Sequence, residues 1–206
     1  MASTKEMARD EREEFASFLD ELTPAQWESR TLCEQWSVRD VAIHTVSYDE
    51  LSTSGLVGRF LKGRLNTDRI NAIGVADYAD RTPEQITALI RAYAEPHGLT
   101  GGFGGKIALT DGMIHQQDIR RSIGLPRTID PDRLRTALDF ARFAPTLRGA
   151  WRARGVRLVA TDLDWAAGKG PEVRGTGEAL LLAMAGRRAA LDDLDGPGKA
   201  KLAQQI

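Results

Sequence analysis

Near its middle the chain carries the segment Asp111-Gly-Met-Ile-His115-Gln-Gln-Asp118-Ile-Arg-Arg121. Asp111 and His115 are four residues apart, so on a helix their side chains lie on the same face, one turn apart. A carboxylate and an imidazole in this arrangement can bind one divalent metal ion, as the two histidines of an H-E-x-x-H helix do. Ordinary surface pairs have the same spacing. A metal site therefore requires a third ligand from elsewhere in the chain.

The best candidate for that ligand is another histidine. The chain has three, His44, His97 and His115. His44 lies in a predicted helix and shares an apolar face with Val41 and Tyr48, so it points to the interior. Interior histidines are often hydrogen-bonded core residues. If His44 instead faces the Asp111 and His115 pair across a helix bundle, the three side chains form a metal site, because bundles build such sites from facing helices.

Capping signals and apolar spacing predict the elements around these residues. Thr23-Pro24-Ala-Gln26, Ser37-Val-Arg-Asp40, Thr82-Pro83-Glu-Gln85 and Asp130-Pro131 are helix starts, and Gly124 is a helix stop. Helices are predicted over 5–22, 24–27, 38–51, 83–95, 106–123 and 131–143. A weak stretch over 52–58 precedes a helical region over 59–79 with breaks at Asn66, Asn71 and Gly74.

The pattern changes after residue 150. Val156–Trp165 is rich in β-forming residues, Gly168–Pro171 is a turn, Glu172–Arg174 is a second short strand, and Gly175–Gly186 is a helix. The predicted fold class is therefore mainly α. It has an antiparallel helix bundle over residues 1–150 and a small α+β extension, a β-hairpin plus a helix, over 151–206.

Composition narrows the classes of partner and compartment. The net charge of −1 gives no global field that favours nucleic acid or an anionic membrane. The longest apolar run, Ala179–Ala185, is far shorter than the roughly 20 residues of a spanning helix, and Met1–Glu14 is charged, unlike a secretory signal. The single cysteine, Cys33, excludes an internal disulfide and suits a reducing cytoplasm. Its thiol is either reactive or a small buried hydrophobe.

Two further features border the predicted site. Asp118, three residues after His115, either accepts the second ring N–H of a ligating histidine or forms a salt bridge with Arg120 or Arg121. The loop Gly101-Gly-Phe-Gly-Gly-Lys106 lacks the spacing of a phosphate-binding P-loop and no strand precedes it. We interpret it as a connection that can border the site.

Two motifs carry a family resemblance. The first is Thr31-Leu-Cys33-Glu-Gln-Trp36-Ser-Val-Arg-Asp40-Val-Ala-Ile-His44, and the second is Asp111-x-x-x-His115-x-x-Asp118-Ile-Arg. They resemble the two metal-site motifs of the mycothiol-dependent maleylpyruvate isomerase-like proteins, within the wider DinB-like superfamily. Segments 158–165, 173–175, 180–187 and 194–196 resemble the carboxy-terminal extension of these proteins, so the resemblance covers nearly the whole chain.

The resemblance implies an up-and-down four-helix bundle that carries a divalent ion, usually zinc and alternatively nickel, on two histidines and one carboxylate. His44, Asp111 and His115 fall on those positions, with Asp118 and Arg121 near them. It also implies mycothiol as cosubstrate and an actinobacterial cytoplasm. In one respect the chain departs from the family. The isomerase carries Glu where this chain has Asp111, so the isomerase's substrate is not transferred to this chain.

The three candidate metal ligands lead us to expect a particular kind of reaction. Three protein ligands leave one coordination position open, as in catalytic zinc sites. A thiol there would lose its proton, and the thiolate would attack a small electrophile in an isomerase or S-transferase reaction. Arg120 or Arg121 either steers an acidic substrate or lies in solvent. The competing function is a non-enzymatic bundle that binds a metal or a small molecule. A homodimer is compatible with either function.

Overall fold

The computed structural model describes residues 2–33, 35–144 and 146–206, so Met1, Glu34 and Pro145 lie outside the described residues. The structure is mainly helical, with a small sheet towards the carboxyl end, and the predicted fold class is confirmed. Within the described part of the chain, no helix is both long enough and apolar enough to cross a membrane.

The chain divides into two compact units, Met1–Pro126 and Arg127–Ile206. The sequence analysis instead places the division at residue 150. The difference concerns the helix Pro131–Ala141, which packs against the helix Gly177–Met184 of the second unit. Its apolar face includes Leu134, whose side chain lies against Gly177.

A four-helix bundle forms the first unit. Its elements are α1 Thr4–Asp20, α2 Pro24–Trp27, α3 Val38–Val46, α4 Thr53–Lys62, α5 Thr67–Ala76, α6 Pro83–Ala92, a 3₁₀ turn Gly102–Gly105, and α7 Lys106–Ile123. Helix α1 packs on α6 and α7, and α3 packs on the same two helices. Helices α3 and α7 are therefore neighbours in the bundle, although about 60 residues separate them in sequence.

Local sequence fixes the ends of the two neighbouring helices α3 and α7. At the start of α3, the Ser37 hydroxyl accepts the Asp40 N–H, which confirms the predicted N-cap, and Asp40 Oδ2 accepts the Ser37 N–H at 2.9 Å, so the two residues form a capping box. Helix α7 has the predicted limits, between Gly105 and Gly124, both in left-handed conformations. These ends determine which residues of the two helices lie side by side.

The prediction of a weak stretch over 52–58 is wrong. Helix α4 begins at Thr53, because the Ser52 hydroxyl accepts the Gly55 N–H and caps it. The predicted break at Asn66 is confirmed, since its side chain caps α5 by accepting the Arg69 N–H.

The predicted breaks at Asn71 and Gly74 are also wrong, since both residues lie inside α5. Tertiary contacts outweigh their low helix propensity. The Tyr48 hydroxyl donates to Asn71 Oδ1 at 2.5 Å. Gly74 allows a close approach, because a Cβ there would lie 2.8 Å from Ser47 Oγ and 2.9 Å from Arg59 Nη1.

The second unit combines short helices with a three-stranded sheet. Its elements are α8 Pro131–Ala141, α9 Gly149–Arg152, β1 Arg157–Ala160, β2 Ala166–Gly168, β3 Glu172–Gly175, α10 Gly177–Met184, a 3₁₀ turn Arg188–Asp193, and α11 Lys199–Ala203. The predicted hairpin is present, but β2 rather than β3 is its second strand. Strand β3 pairs with β1 in parallel on the other edge. The left-handed Gly168 and Gly170 let the chain leave β2 and return on that side.

A pair of glycine substitutions tests the packing of α5 against α3 and α4. We expect Gly74→Ala to lower the free energy of unfolding by about 1–3 kcal/mol, because the added Cβ overlaps Ser47 and Arg59. The matched control is Gly58→Ala in α4, where a Cβ meets nothing within 4 Å; it should raise stability by up to about 1 kcal/mol through helix propensity. Urea denaturation followed by circular dichroism measures both. Equal effects of the two substitutions would contradict this packing.

Candidate metal centre

Three side chains from α3 and α7 converge inside the first unit. His44 Nε2 lies 3.8 Å from Asp111 Oδ2, and His115 Nε2 lies 3.6 Å from Asp111 Oδ1. The two imidazole rings are 4.8 Å apart between centroids and nearly perpendicular, at 80°. One donor atom from each residue lies within 4.8 Å of the other two. The structure therefore brings together the three residues that the sequence analysis selected, and we call them the first trio.

The first trio fits a divalent ion. With metal–ligand bonds of the length found in zinc sites, ligand atoms in a tetrahedron lie about 3.4 Å apart. The two separations from Asp111, 3.8 and 3.6 Å, need to change by only a few tenths of an ångström, and the donor atoms of the two histidines lie within 4.8 Å of each other. Two imidazoles and one carboxylate are a donor set that zinc and nickel both accept. The His44 and His115 side chains are buried, whereas 39% of the Asp111 side chain is exposed. The group is thus open to solvent on the side of Asp111.

The charges within the first trio are strongly coupled. Burial opposes a charge on His115, but the Asp111 carboxylate and hydrogen bonds with Asp118 and Cys33 outweigh it and raise the pKa of His115 to about 10. Partial burial likewise opposes ionisation of Asp111, but the charge on His115, together with a hydrogen bond from His44, holds the pKa of that carboxyl far below its usual range. Without a metal ion, His115 is therefore protonated, and its positive charge is attracted to the carboxylates of Asp111 and Asp118.

Asp118 lies directly behind His115. Its fully buried carboxylate has Oδ2 3.1 Å from His115 Nδ1. A proton on Nδ1 would be donated to this carboxylate, which leaves the Nε2 lone pair directed at the first trio. The sequence analysis left open whether Asp118 orients a ligand or pairs with an arginine, and this geometry supports the first role.

Cys33 lies beside the same carboxylate. Its Sγ donates to Asp118 Oδ2 at 3.1 Å and lies 3.7 Å from His115 Nδ1. The loop that carries it is held against α7, because the Leu32 N–H donates to the Asp118 carbonyl oxygen at 3.3 Å. The half-buried thiol is therefore part of the site's surroundings, which the sequence spacing did not indicate.

Two aromatic rings border the imidazoles, and sequence reasoning gave neither of them a place in the site. The Trp36 ring centroid lies 4.9 Å from that of His44 and 6.3 Å from that of His115. Tyr48 meets His44 edge-on at 6.1 Å, as the four-residue spacing between them allows. Burial raises the pKa of Tyr48 to about 12, so its phenol is neutral at physiological pH. Trp36 precedes the Ser37 cap, a position that often packs on its helix.

A buried polar network lies in the same bundle, and sequence reasoning missed it because its members are far apart in the chain. Arg12 Nη2 lies 3.0 Å from Asp49 Oδ2, and the Thr100 hydroxyl donates to Asp49 Oδ1 at 2.5 Å. His97 Nε2 lies 3.0 Å from the Asp49 carbonyl oxygen. These contacts join α1, the turn after α3 and the loop before α7. The role of His97, which the sequence could not assign, is thus in this network rather than in the first trio.

The two arginines of α7 have different surroundings. The Arg120 guanidinium lies 3.8 Å above the centre of the Phe18 ring and donates to the Leu125 carbonyl oxygen at 3.2 Å. These contacts occupy Arg120 against α1 and the end of α7. Arg121 is half-buried in the last turn of α7, and its role beside Asp118 stays a prediction.

The fold and these donors define a helix-bundle protein with a candidate mononuclear metal centre between two neighbouring helices. The sequence model described as "Mycothiol maleylpyruvate isomerase N-terminal domain" matches residues 8–96, so the resemblance inferred from the sequence is confirmed over that part of the chain. The match includes His44 but ends before Asp111 and His115.

Two crystal structures share the fold over nearly the whole chain. One is the mycothiol-dependent maleylpyruvate isomerase, with a TM-score of 0.55, and the other is a histidine-to-alanine mutant of it, with a TM-score of 0.54. In each comparison the identity is 14%, and 97% of both chains is covered. A search of curated proteins gave no match. At this identity the structures show a common fold.

Substitution of Asp118 tests its role as the residue that orients His115. We expect Asp118→Asn to weaken zinc binding about 10- to 100-fold, because the amide keeps the size but loses the charge that fixes the His115 tautomer. Competition with a chromophoric chelator measures the affinity. The matched control is Asp77→Asn, which removes the same charge from an ion pair with Arg59. If both variants bind zinc like the wild type, Asp118 has no part in the site.

Metal binding should also depend on pH. The raised pKa of His115 means that the metal-free ring is protonated at neutral pH, and an ion must displace that proton. The apparent metal affinity should therefore increase about tenfold for each unit by which the pH is raised, until the pH reaches the pKa of His115. Calorimetry at pH 7 in two buffers with different ionisation enthalpies should show release of at least one proton. Identical heats in both buffers would count against this.

Proposed function

We propose that this protein is a thiol-dependent metalloenzyme that acts on a small electrophile in an isomerase or S-transferase reaction. The observation that carries the proposal is the convergence of His44, Asp111 and His115, with the group open to solvent on one side. We infer zinc as the ion, with nickel as the alternative, because both accept this donor set.

The donor set itself favours an anionic partner. Two neutral imidazoles and one carboxylate leave a divalent ion with a net charge of about +1. When bound, the ion would supply a positive charge that stabilises the thiolate of a cosubstrate and so makes a nucleophile available at neutral pH. Asp118 keeps the proton of His115 on Nδ1, away from the ion. Asp111 provides the exposed side from which both reactants can approach.

The aromatic side chains around His44 shield it from water, and the phenol of Tyr48 keeps its proton. Trp36 covers His44 on one side and Tyr48 meets it edge-on from another. The Tyr48 hydroxyl donates to Asn71 Oδ1 and, with a pKa of about 12, does not compete as an anion for the ion. The interior of the site is therefore low in water, which strengthens the attraction between an ion and a thiolate.

The identity of the thiol rests on the family. Residues 8–96 match the model of a family named for mycothiol, and the solved structures that share the fold are of a mycothiol-dependent enzyme. We therefore propose mycothiol as the cosubstrate and the actinobacterial cytoplasm as the setting. The isomerase's own substrate is left out of the proposal, because 14% identity shows the fold alone.

A second function is favoured by one residue. By the resemblance described above, Asp111 stands where the family's isomerase carries Glu, and an Asp side chain, one methylene shorter, keeps its carboxylate closer to the helix backbone. A bundle with this change could keep a metal ion but bind a small molecule without converting it. The two functions differ in turnover rather than in metal content.

Metal analysis of a histidine variant tests the proposed function. We expect purified wild type to hold about one zinc or nickel ion per chain and His44→Ala to hold none after dialysis, because two ligands remain. The matched control is His97→Ala, which removes the histidine outside the first trio and should keep the ion. Wild type that holds no ion after purification and binds none on titration would end the proposal.

Turnover then separates the two functions. We expect wild type with mycothiol to convert at least one member of a panel of activated alkenes, epoxides and alkyl halides, and His44→Ala to lose that activity. Metal binding without mycothiol-dependent turnover of any member would favour the non-enzymatic bundle.

A further inference from the structure

We propose that Cys33, His115 and Asp118 form a second metal-binding group, which takes a thiophilic divalent ion and competes with the first trio for His115. We call these residues the second trio. The proposal goes beyond the proposed function and depends on it only through the shared histidine. The second trio lies on the opposite side of the His115 ring, around Nδ1 rather than Nε2.

The distances within the second trio suit a common ion. Cys33 Sγ lies 3.1 Å from Asp118 Oδ2 and 3.7 Å from His115 Nδ1, and the two latter atoms are 3.1 Å apart. In a tetrahedral site with a sulfur ligand, sulfur lies about 3.5 Å from each nitrogen or oxygen ligand, and nitrogen and oxygen lie about 3.4 Å apart. No separation needs to change by more than about half an ångström.

Hydrogen bonds account for these contacts when protons are present. The thiol donates to Asp118, and so does His115 when Nδ1 carries a proton. A metal ion would replace those protons, since thiolate and unprotonated nitrogen are the ligating forms. On binding, the thiol proton and the Nδ1 proton of protonated His115 both leave to solvent, and the one remaining ring proton lies on Nε2, which faces Asp111.

Charge and burial favour an ion at this position. A thiolate and a carboxylate balance a divalent cation, so the second trio becomes neutral when loaded, whereas the first trio keeps a net charge of about +1. Asp118 is fully buried, and a buried carboxylate is favoured beside a positive charge. Cys33 is half-buried, so an ion can reach the group from its side.

The scaffold holds the thiol in place. The Thr31 hydroxyl accepts the Cys33 N–H at 3.1 Å and donates to the Trp36 carbonyl oxygen at 3.0 Å. The Leu32 N–H donates to the backbone of Asp118. The loop is therefore anchored to α7 at the residue that supplies the carboxylate, which limits the movement needed for ligation.

The two trios exclude each other when His115 is neutral. A neutral imidazole has one nitrogen free to bind a metal, so an ion at Nδ1 takes the ligand away from Nε2. Sulfur ligation selects soft ions such as Cd²⁺, whereas the nitrogen and oxygen donors of the first trio do not. A thiophilic ion at the second trio should therefore displace the functional metal and inhibit the enzyme.

Cadmium titration tests the proposal, and the single cysteine makes the signal specific. The protein is the full chain carrying His44→Ala, which removes a ligand of the first trio and leaves the second intact. We expect Cd²⁺ to produce the ultraviolet absorption of a thiolate–cadmium bond. Adding His115→Ala or Asp118→Asn should weaken that binding at least tenfold. Circular dichroism checks that each variant is folded.

The outcomes separate the proposal from its alternatives. No thiolate absorption in His44→Ala at saturating Cd²⁺ would overturn it. So would an unchanged affinity when both His115→Ala and Asp118→Asn are tested, because Cys33 would then be binding cadmium alone. Cys33→Ser tests the proposed function separately, since it should still bind zinc at the first trio. If Cys33→Ser fails to bind zinc while His44→Ala still binds cadmium, the proposed function is rejected and the proposal of the second trio is retained.

Discussion

The packing of α3 against α7 is the contact on which the rest of the site depends. It places His44 beside His115, with the rings 4.8 Å apart. Neither imidazole can reach solvent freely at this depth, so each requires polar partners. The Asp111 carboxylate is a polar partner of both rings on one side, and the Asp118 carboxylate is a partner of His115 on the other.

His115 faces a different carboxylate with each of its two nitrogens. Nε2 faces a carboxylate that is partly exposed, and Nδ1 faces a carboxylate that is fully buried. In the two proposed sites, the tautomer of a single ring therefore decides which group of candidate ligands can accept a metal ion. The aromatic rings of Trp36 and Tyr48 keep the neighbourhood of His44 low in water, which makes these charges effective at short range.

Much of the bundle could be predicted because its signals are local. The Ser37 capping box and the glycines around α7 lie within a few residues of the ends that they define. The errors in α4, α5 and the sheet have a different origin. Gly74 lies within α5 and packs against Ser47 and Arg59, more than ten residues away, and β3 pairs with β1 by its position in space. No local pattern contains that information.

The sequence by itself determined the helices and which side chains share a face, since a period of 3.6 residues places Asp111 above His115 in any helix. It also supplied three candidate ligands from a family motif and a four-residue spacing. Only the tertiary structure decided that His44 meets them, that Cys33 and Asp118 lie behind His115, and that His97 belongs to the Asp49 network. Those contacts join residues far apart in the chain, and the packing of whole helices creates them.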